Sequence, residues 1–360
     1  MVYDSSVDVH SKSIRSIEAC FAEFGGGSAD DLAEQLFLTD QLPTGSMPIT
    51  QINLYPKSAD HVYWGKPHRS PQNQCRMDSQ PQSKVPRASV VMTTFRSPHY
   101  LKQVLLGYAN QTHNGFEIVV GEDGETDETR RVIDDIGAST GLTLTYVSQT
   151  HEGFGKTRIL NRAIDAAGGD YLIFTDGDCV PQRDFVKQHV SNATHGAFLS
   201  GGCVRLEREL TDRILQDQVA YNDFTDFRWL VDSGENVSKK WVWSADRPLV
   251  ADFFDVVTTT RPTFNGHNAS AWKQDVVNAN GFNLDMRYGG LDRELGERLE
   301  NADVYGIQIR HRAITFHLDH DRGYVNDADW ERNADIRKFV RNNGVRRAEH
   351  GLDEVLYKAG

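Results

Sequence analysis

Two aspartates one residue apart, Asp176 and Asp178, close the apolar run Tyr171-Leu172-Ile173-Phe174-Thr175. A short apolar run ended by turn residues reads as a buried strand. Both carboxylates therefore stand at a strand end, the edge where open α/β sheets place ligands. Two acids so close repel unless something positive lies between them. A divalent cation with hard oxygen ligands relieves that repulsion and usually also holds a phosphate. An Asp-Gly pair is equally a common β-turn, and D-x-D recurs by chance.

The elements that must position these acids start at Ala88. Ala88 to Thr94, Phe116 to Val120, Leu142 to Val147 and the Tyr171 run read as strands. Between them, Leu101, Val104, Leu105 and Tyr108 repeat with helical spacing, Asp127 to Ile136 is helix-like, and Ile159, Leu160, Ala163, Ile164 and Ala167 share one helix face. A helix over Phe185 to Asn192 and a strand over Ala197 to Gly201 follow. Strands alternating with helices predict an α/β fold with a mostly parallel, Rossmann-like sheet flanked by helices. In such a sheet the ends Thr93-Thr94-Phe95-Arg96, Glu122-Asp123-Gly124 and Asp176-Gly177-Asp178 converge on one edge. There Asp123 can accept the imide proton of a pyrimidine and Thr94 can bond base or ribose. Asp127 reads better as a helix cap.

Around this core the expected organisation is an N-terminal extension and linker (1–86), with helical segments within 16–38 and a Pro-, Ser- and Gln-rich stretch at 70–86. The core domain spans 87–324: a first half (87–204) that carries the strand ends of a nucleotide site, an aromatic-rich insertion (205–262) and a second half (263–324), to which the resemblance given below assigns acceptor binding. A helical tail with a basic centre (325–360) follows. The insertion reads as a packed helical subdomain or, given that resemblance, as an acceptor-binding lid, since sugar rings stack on aromatic faces.

The 360 residues carry a net charge of −12. That balance argues against a nucleic-acid partner, while a nucleotide-sized anion remains compatible with a metal and a few local cations. Cys20, Cys75, Cys179 and Cys203 have no C-x-x-C spacing and read as reduced thiols of a cytosolic protein. The polar Met1 to His10 segment does not read as a signal peptide, and no apolar stretch is long enough to span a bilayer.

Further stretches stand in order: Gly153-Phe154-Gly155-Lys156-Thr157-Arg158-Ile159-Leu160-Asn161-Arg162-Ala163-Ile164, Gly266-His267-Asn268-Ala269-Ser270-Ala271-Trp272, Asn280-Gly281-Phe282-Asn283, Gly290-Leu291-Asp292-Arg293-Glu294-Leu295 and Phe316-His317-Leu318-Asp319-His320. With the strand ends, they resemble the motifs of the inverting family 2 glycosyltransferases of GT-A fold, from roughly Ala88 to Tyr324 with a gap through the insertion. The family forms are P-T-Y-N-R, D-D-G-S-T-D, G-F-R-x-x-K-x-x-N-x-A-I, D-x-D, G-x-N-M-S-F-W, N-G-F-D, E-D-x-E-L and Y-H-L-x-H. The chain departs from them at Glu122 for the first Asp of D-D-G, Gly155 for a frequent Arg, and Leu291 for the first acid of E-D.

The resemblance implies transfer of a sugar from a nucleoside diphosphate sugar, UDP-linked, to a carbohydrate acceptor in polysaccharide or glycan assembly, with inversion. It implies donor contacts from Thr94, Phe95, Arg96, Asp123, Arg158, Asp176 and Gly177. Asp178 and His317, supported by Asp176, would hold manganese or magnesium, a mixed donor set suited to such an ion. The ion would neutralise the departing diphosphate. Asp292 would take the acceptor proton, and Asn268, Trp272 and Glu294 would meet the acceptor.

Competing readings stand beside these. Asp292 is also placed to cap a helix, Arg158 to occupy a solvated helix face, and His311, His317 and His320, beside Asp319 and Asp321, to form a hydrolase metal cluster. The basic tail reads as a solvated face or as a peripheral contact with an anionic inner membrane face carrying a lipid-linked acceptor. Two other functions compete: a metal-dependent nucleotidyltransferase and a non-catalytic glycan-binding module of the same fold.

Overall fold

The computed structural model describes residues 86–245, 247–321 and 327–357. The expected extension, with its helical segments and all but the last residue of its linker, lies outside the described residues.

Four parallel strands, β1 (Ala88–Thr94), β2 (Glu117–Asp123), β3 (Thr143–Gln149) and β4 (Tyr171–Asp176), are joined by helices over Pro98–Ala109, Asp127–Thr140 and Lys156–Ala166. Every residue of β1 is buried, as expected of a strand covered on both faces. The chain then adds β5 (Cys179–Pro181), β6 (Ala197–Ser200), β7 (Gly202–Arg205), β8 (Ala269–Trp272), β9 (Tyr305–Gln308) and β10 (Ile314–His317). The main sheet runs β3-β2-β1-β4-β8-β6-β9, with β8 alone antiparallel to its neighbours, and β5-β10-β7 form a small second sheet. The order turns back between β1 and β4, so the crevice at their carboxyl ends is the switch point where such sheets bind ligands. The expected α/β architecture with a mostly parallel sheet is present.

Alternation along β1 feeds two cores. Val90 and Met92 pack with Leu101, Val104 and Ile133 on one face; Val91 packs with Leu160, Ile164, Phe282 and Leu295 on the other. Asn161 lies in the second core and bridges the backbone N–H and C=O of Phe282 at 2.7 and 2.8 Å. That clamp holds the left-handed Asn280-Gly281 turn against the Lys156–Ala166 helix.

The insertion forms helices over Arg208–Leu215, Tyr221–Phe224, Phe227–Asp232, Lys239–Ser244 and Pro248–Val257. Phe224, Phe227 and Phe254 are buried. Tyr221 donates to the Pro181 carbonyl at 2.9 Å, and Phe227 lies 5.6 Å from the Phe316 ring. Of the two expectations for these aromatics, the packed subdomain describes those rings. The tail folds as helices over Asp327–Asn343 and Leu352–Tyr357. Arg337 and Arg341 pair with Glu297, Arg346 approaches Asp303, and Arg347 pairs with Asp353. Most of the basic centre is thus engaged by the protein's own acids, which removes the support for a membrane-facing patch. Among the described residues no helix is long and apolar enough to cross a membrane. Cys179 and Cys203 are free thiols.

His189 is completely buried beneath β8, with Ser270 Oγ 2.7 Å from its Nδ1 and Asn268 Oδ1 3.0 Å from its Nε2. Burial pushes its pKa down from 6.5 to about 3, only partly offset by Asn268. Between those values the unfolded chain binds a proton that the folded chain refuses, so stability falls as pH falls. Urea unfolding at pH 7 and pH 5 should show an acid loss about 2 kcal/mol larger in the native protein than in His189→Gln. Equal losses would contradict this placement.

Candidate active site

Strand register assembles the site. Thr93 pairs with Asp176 across β1 and β4, and Thr94 with Glu122 across β1 and β2. Gly177 donates its N–H to the Thr93 carbonyl at 2.8 Å. A Cβ on Gly177 would lie 3.0 Å from that oxygen and from Thr94 Cβ, so glycine lets the D-G-D turn close onto β1.

Asp176 accepts from Lys156 Nζ at 2.7 Å and from Thr93 Oγ1 at 3.3 Å. Burial acts to lower the Lys156 pKa, but Asp176, Asp178 and Asp292 together overcome it and raise it. The ammonium stays charged. Asp178 lies 2.9 Å from His320 Nε2 and 3.9 Å from His317 Nε2. Burial alone would raise the Asp178 pKa; the hydrogen bond from His320 and the charges of His317 and Lys156 outweigh it and hold the carboxyl well below its usual range. His317 reaches this position because it pairs with Cys179 across β10 and β5, while Leu318 donates to the Asp178 carbonyl at 2.9 Å. Tyr100, donating to the Asp319 carbonyl, and Arg208, paired with Asp319 and Asp321, secure the following turn.

The donor set fits a divalent cation. Ligand atoms of Asp178, Cys179 and His317 lie within 4.8 Å of one another. Burial first, then Asp178, pushes the Cys179 thiol far above its ordinary pKa, and it donates to Asp178 Oδ1 at 3.3 Å. A protonated thiol is a poor ligand. What remains is carboxylate and imidazole, suited to manganese-like ions.

Asp292 belongs to the first turn of the Leu291–Asn301 helix, whose N-cap is the left-handed Gly290 rather than Asp292 itself. Its Oδ2 accepts the Gly266 N–H at 2.8 Å, tying it to the loop that carries His267. His267 stands within electrostatic reach of Asp176, Asp292, His317 and Lys156. Burial lowers its pKa, and the two acids offset this only in part. Leu291, where the resemblance has an acid, is buried in the second core.

On the nucleoside side, Asp123 accepts from Gln149 Nε2 at 2.8 Å and from the Gly155 N–H at 3.0 Å, with His151 Nδ1 at 3.2 Å. A Cβ on Gly155 would lie 2.4 Å from Asp123 Oδ1. No larger side chain fits there without movement, which accounts for glycine in place of arginine. The exposed Phe95 ring sits 4.8 Å from His151, with the Arg96 guanidinium over its other neighbourhood at 5.3 Å. Arg96 has a left-handed φ of 47°, a strained conformation typical of functional turns. Thr94 Oγ1 is buried without a hydrogen-bond partner, a polar atom that a ligand could satisfy. Glu122 is instead consumed internally by Thr126, Thr129 and Tyr146. Thr126, not Asp127, caps the helix.

Arg158 lines a cleft of about 280 Å³ that adjoins the Asp123 corner, sharing Gln149 and Gly155 with it. Three expected site residues are not brought to this edge. Asn268 is fully buried, donating to the Gly202 and Ala313 carbonyls. Trp272 pairs with Tyr171, at the opposite end of β4 from Asp176. Glu294 is fully buried against Arg298 and Asn283. Conversely, sequence reasoning missed Lys156 and His267 as members of the site and considered His320 for a hydrolase metal cluster. Lys156 and His267 lay inside quoted motifs, but at positions those motifs leave variable.

The fold is similar to that of the GT-A glycosyltransferases. Residues 89–237 match the family described as Glycosyl transferase family 2. An uncharacterized glycosyltransferase of Bacillus subtilis, YfnE, is 30% identical over 265 residues, covering 65% of each chain. An uncharacterized glycosyltransferase of Haemophilus influenzae is 27% identical over 133 residues, 34% of this chain and 52% of its own length. The crystal structure of S. aureus TarS superposes with a TM-score of 0.50 at 15% identity, covering 76% of this chain and 42% of TarS. The chain thus spans less than two thirds of the length of each of these proteins.

The Glu294–Arg298 pair has no exposed side-chain surface. Removing one partner of such a pair strands a buried charge, at a cost of about 3–5 kcal/mol. Glu294→Ala should lower stability by that amount in chemical denaturation. An unchanged unfolding midpoint would contradict its structural role.

Proposed function

We propose that this chain is a metal-dependent inverting glycosyltransferase that moves a sugar from a nucleoside diphosphate sugar, UDP-linked, onto a hydroxyl of a carbohydrate acceptor. The observation that carries this reading is the meeting of Asp176, Asp178 and Asp292 with Lys156, His317 and His320 at the switch point of the sheet. The match over residues 89–237 supports the same chemistry.

Asp123 accepts the imide proton of the base, Phe95 packs on its face, and Thr94 Oγ1 gains its missing partner from base or ribose. Asp176 supports the ribose and the metal edge. Asp178 and His317 would hold manganese or magnesium, with His320 bonded to the same carboxylate; the ion would supply Lewis-acid stabilisation of the leaving diphosphate. The acceptor oxygen attacks the anomeric carbon as the bond to the diphosphate oxygen breaks, and the acceptor proton passes to Asp292. The Gly266 N–H at Oδ2 and the Arg293 N–H at Oδ1 fix that carboxylate's orientation, and each oxygen keeps a further lone pair for the acceptor proton. Asp176 and Asp178 already have cationic partners, so Asp292 is the carboxylate left for base catalysis.

Thermal unfolding with a panel of nucleoside diphosphates tests the donor site, because a ligand binding only the folded form raises the melting temperature. UDP with manganese should stabilise the native protein and Asp292→Asn alike, and should fail to stabilise Asp178→Ala. No shift with any diphosphate would sink the reading. In a donor-consumption assay, Asp292→Asn should lose at least about a hundredfold in turnover, the scale of general-base catalysis.

A further inference from the structure

We propose that Lys156 is a donor-contacting residue that binds the diphosphate of the nucleotide sugar, a role that rests on the glycosyltransferase reading above. The geometry is specific. Lys156 is the first residue of an eleven-residue helix that starts at the sheet edge. Its Nζ lies 2.7 Å from Asp176 Oδ1, and it also feels Asp178 and Asp292. It is thus the lysine that reaches all three acids of the site. An ammonium has three N–H donors, and Asp176 accepts from one of them.

The backbone around it is suited to the same anion. The helix has Gly155 at its N-cap, without a side-chain cap, and no acidic residue in its first turn. Asp123 takes the Gly155 N–H, and with no acid in its own first turn the helix still presents its positive end to an anion at this edge. Arg158, two residues further on, lines the adjoining cleft with Arg162 and Leu284, whereas Lys156 bonds directly to an acid of the site. Both partners of its ion pair are partly exposed, at 35% and 23%, so the ammonium that holds Asp176 is also open to a ligand. A charge-assisted bond to a leaving diphosphate uses the same side chain where negative charge grows during the reaction.

The test separates the phosphates from the nucleoside. Calorimetric affinities are measured with manganese for the full chain, Lys156→Gln and Lys156→Arg. The ligands are the nucleoside diphosphate that stabilises the protein most and its parent nucleoside. Lys156→Gln should weaken the diphosphate by about tenfold or more and leave the nucleoside unchanged, while Lys156→Arg should retain most of the diphosphate affinity. The unchanged nucleoside affinity also shows that the variant is folded. Native-like diphosphate affinity in Lys156→Gln, or equal losses on both ligands, would overturn the assignment while leaving the donor site intact. A native chain that binds no nucleoside diphosphate would overturn the donor reading and this assignment together.

Discussion

Like charges brought to one sheet edge are the constraint around which this protein is organised. Three carboxylates, Asp176, Asp178 and Asp292, act on one lysine. Left alone, they would repel and be driven toward protonation by burial. The fold answers each with its own partner: Lys156 for Asp176, His320 and His317 for Asp178, and the Gly266 N–H for Asp292. Each partner comes from a different part of the chain, so the site forms only when the sheet, the small second sheet and the Leu291–Asn301 helix are all in place.

The rest of the architecture holds these parts in register. Parallel pairing of β1 with β2 and β4 puts three strand ends side by side. The β5–β10 pairing delivers His317 beside the D-G-D turn. Asn161 and Arg298 tie the Asn280-Gly281-Phe282 turn to the helices behind the site. The tail helix completes this support, with Asn333 donating to the Tyr288 and Gly289 carbonyls just before Asp292. Motifs in this chain thus serve two purposes. Some of their residues face the crevice and others hold the loops that carry it.

That division explains what could be read from sequence. The parallel strands were legible because strands buried on both faces are continuous apolar runs, and D-G-D was legible because it ends one of them. Asp292 and His317 were singled out through their motifs, and the structure places both at the edge. Asn268, Trp272 and Glu294 were singled out on the same grounds, yet a motif does not say which of its members is structural. Trp272 is carried away from the site because β8 runs antiparallel to β4, a reversal that no local pattern announces. Lys156 and His267 were missed because only the folded chain shows that they meet the acids. Gly155 looked like a lost arginine; a side chain there would have to displace the Gln149 and Asp123 side chains.

The most direct test of the central claim is the anomalous diffraction of crystals of this protein grown with manganese and UDP. The account predicts a single strong manganese peak bonded to Asp178 and His317, with the diphosphate beside it and the uracil against Asp123. A manganese peak away from Asp178, or a nucleotide seated in the Arg158 cleft instead of at the β1–β4 switch point, would contradict it.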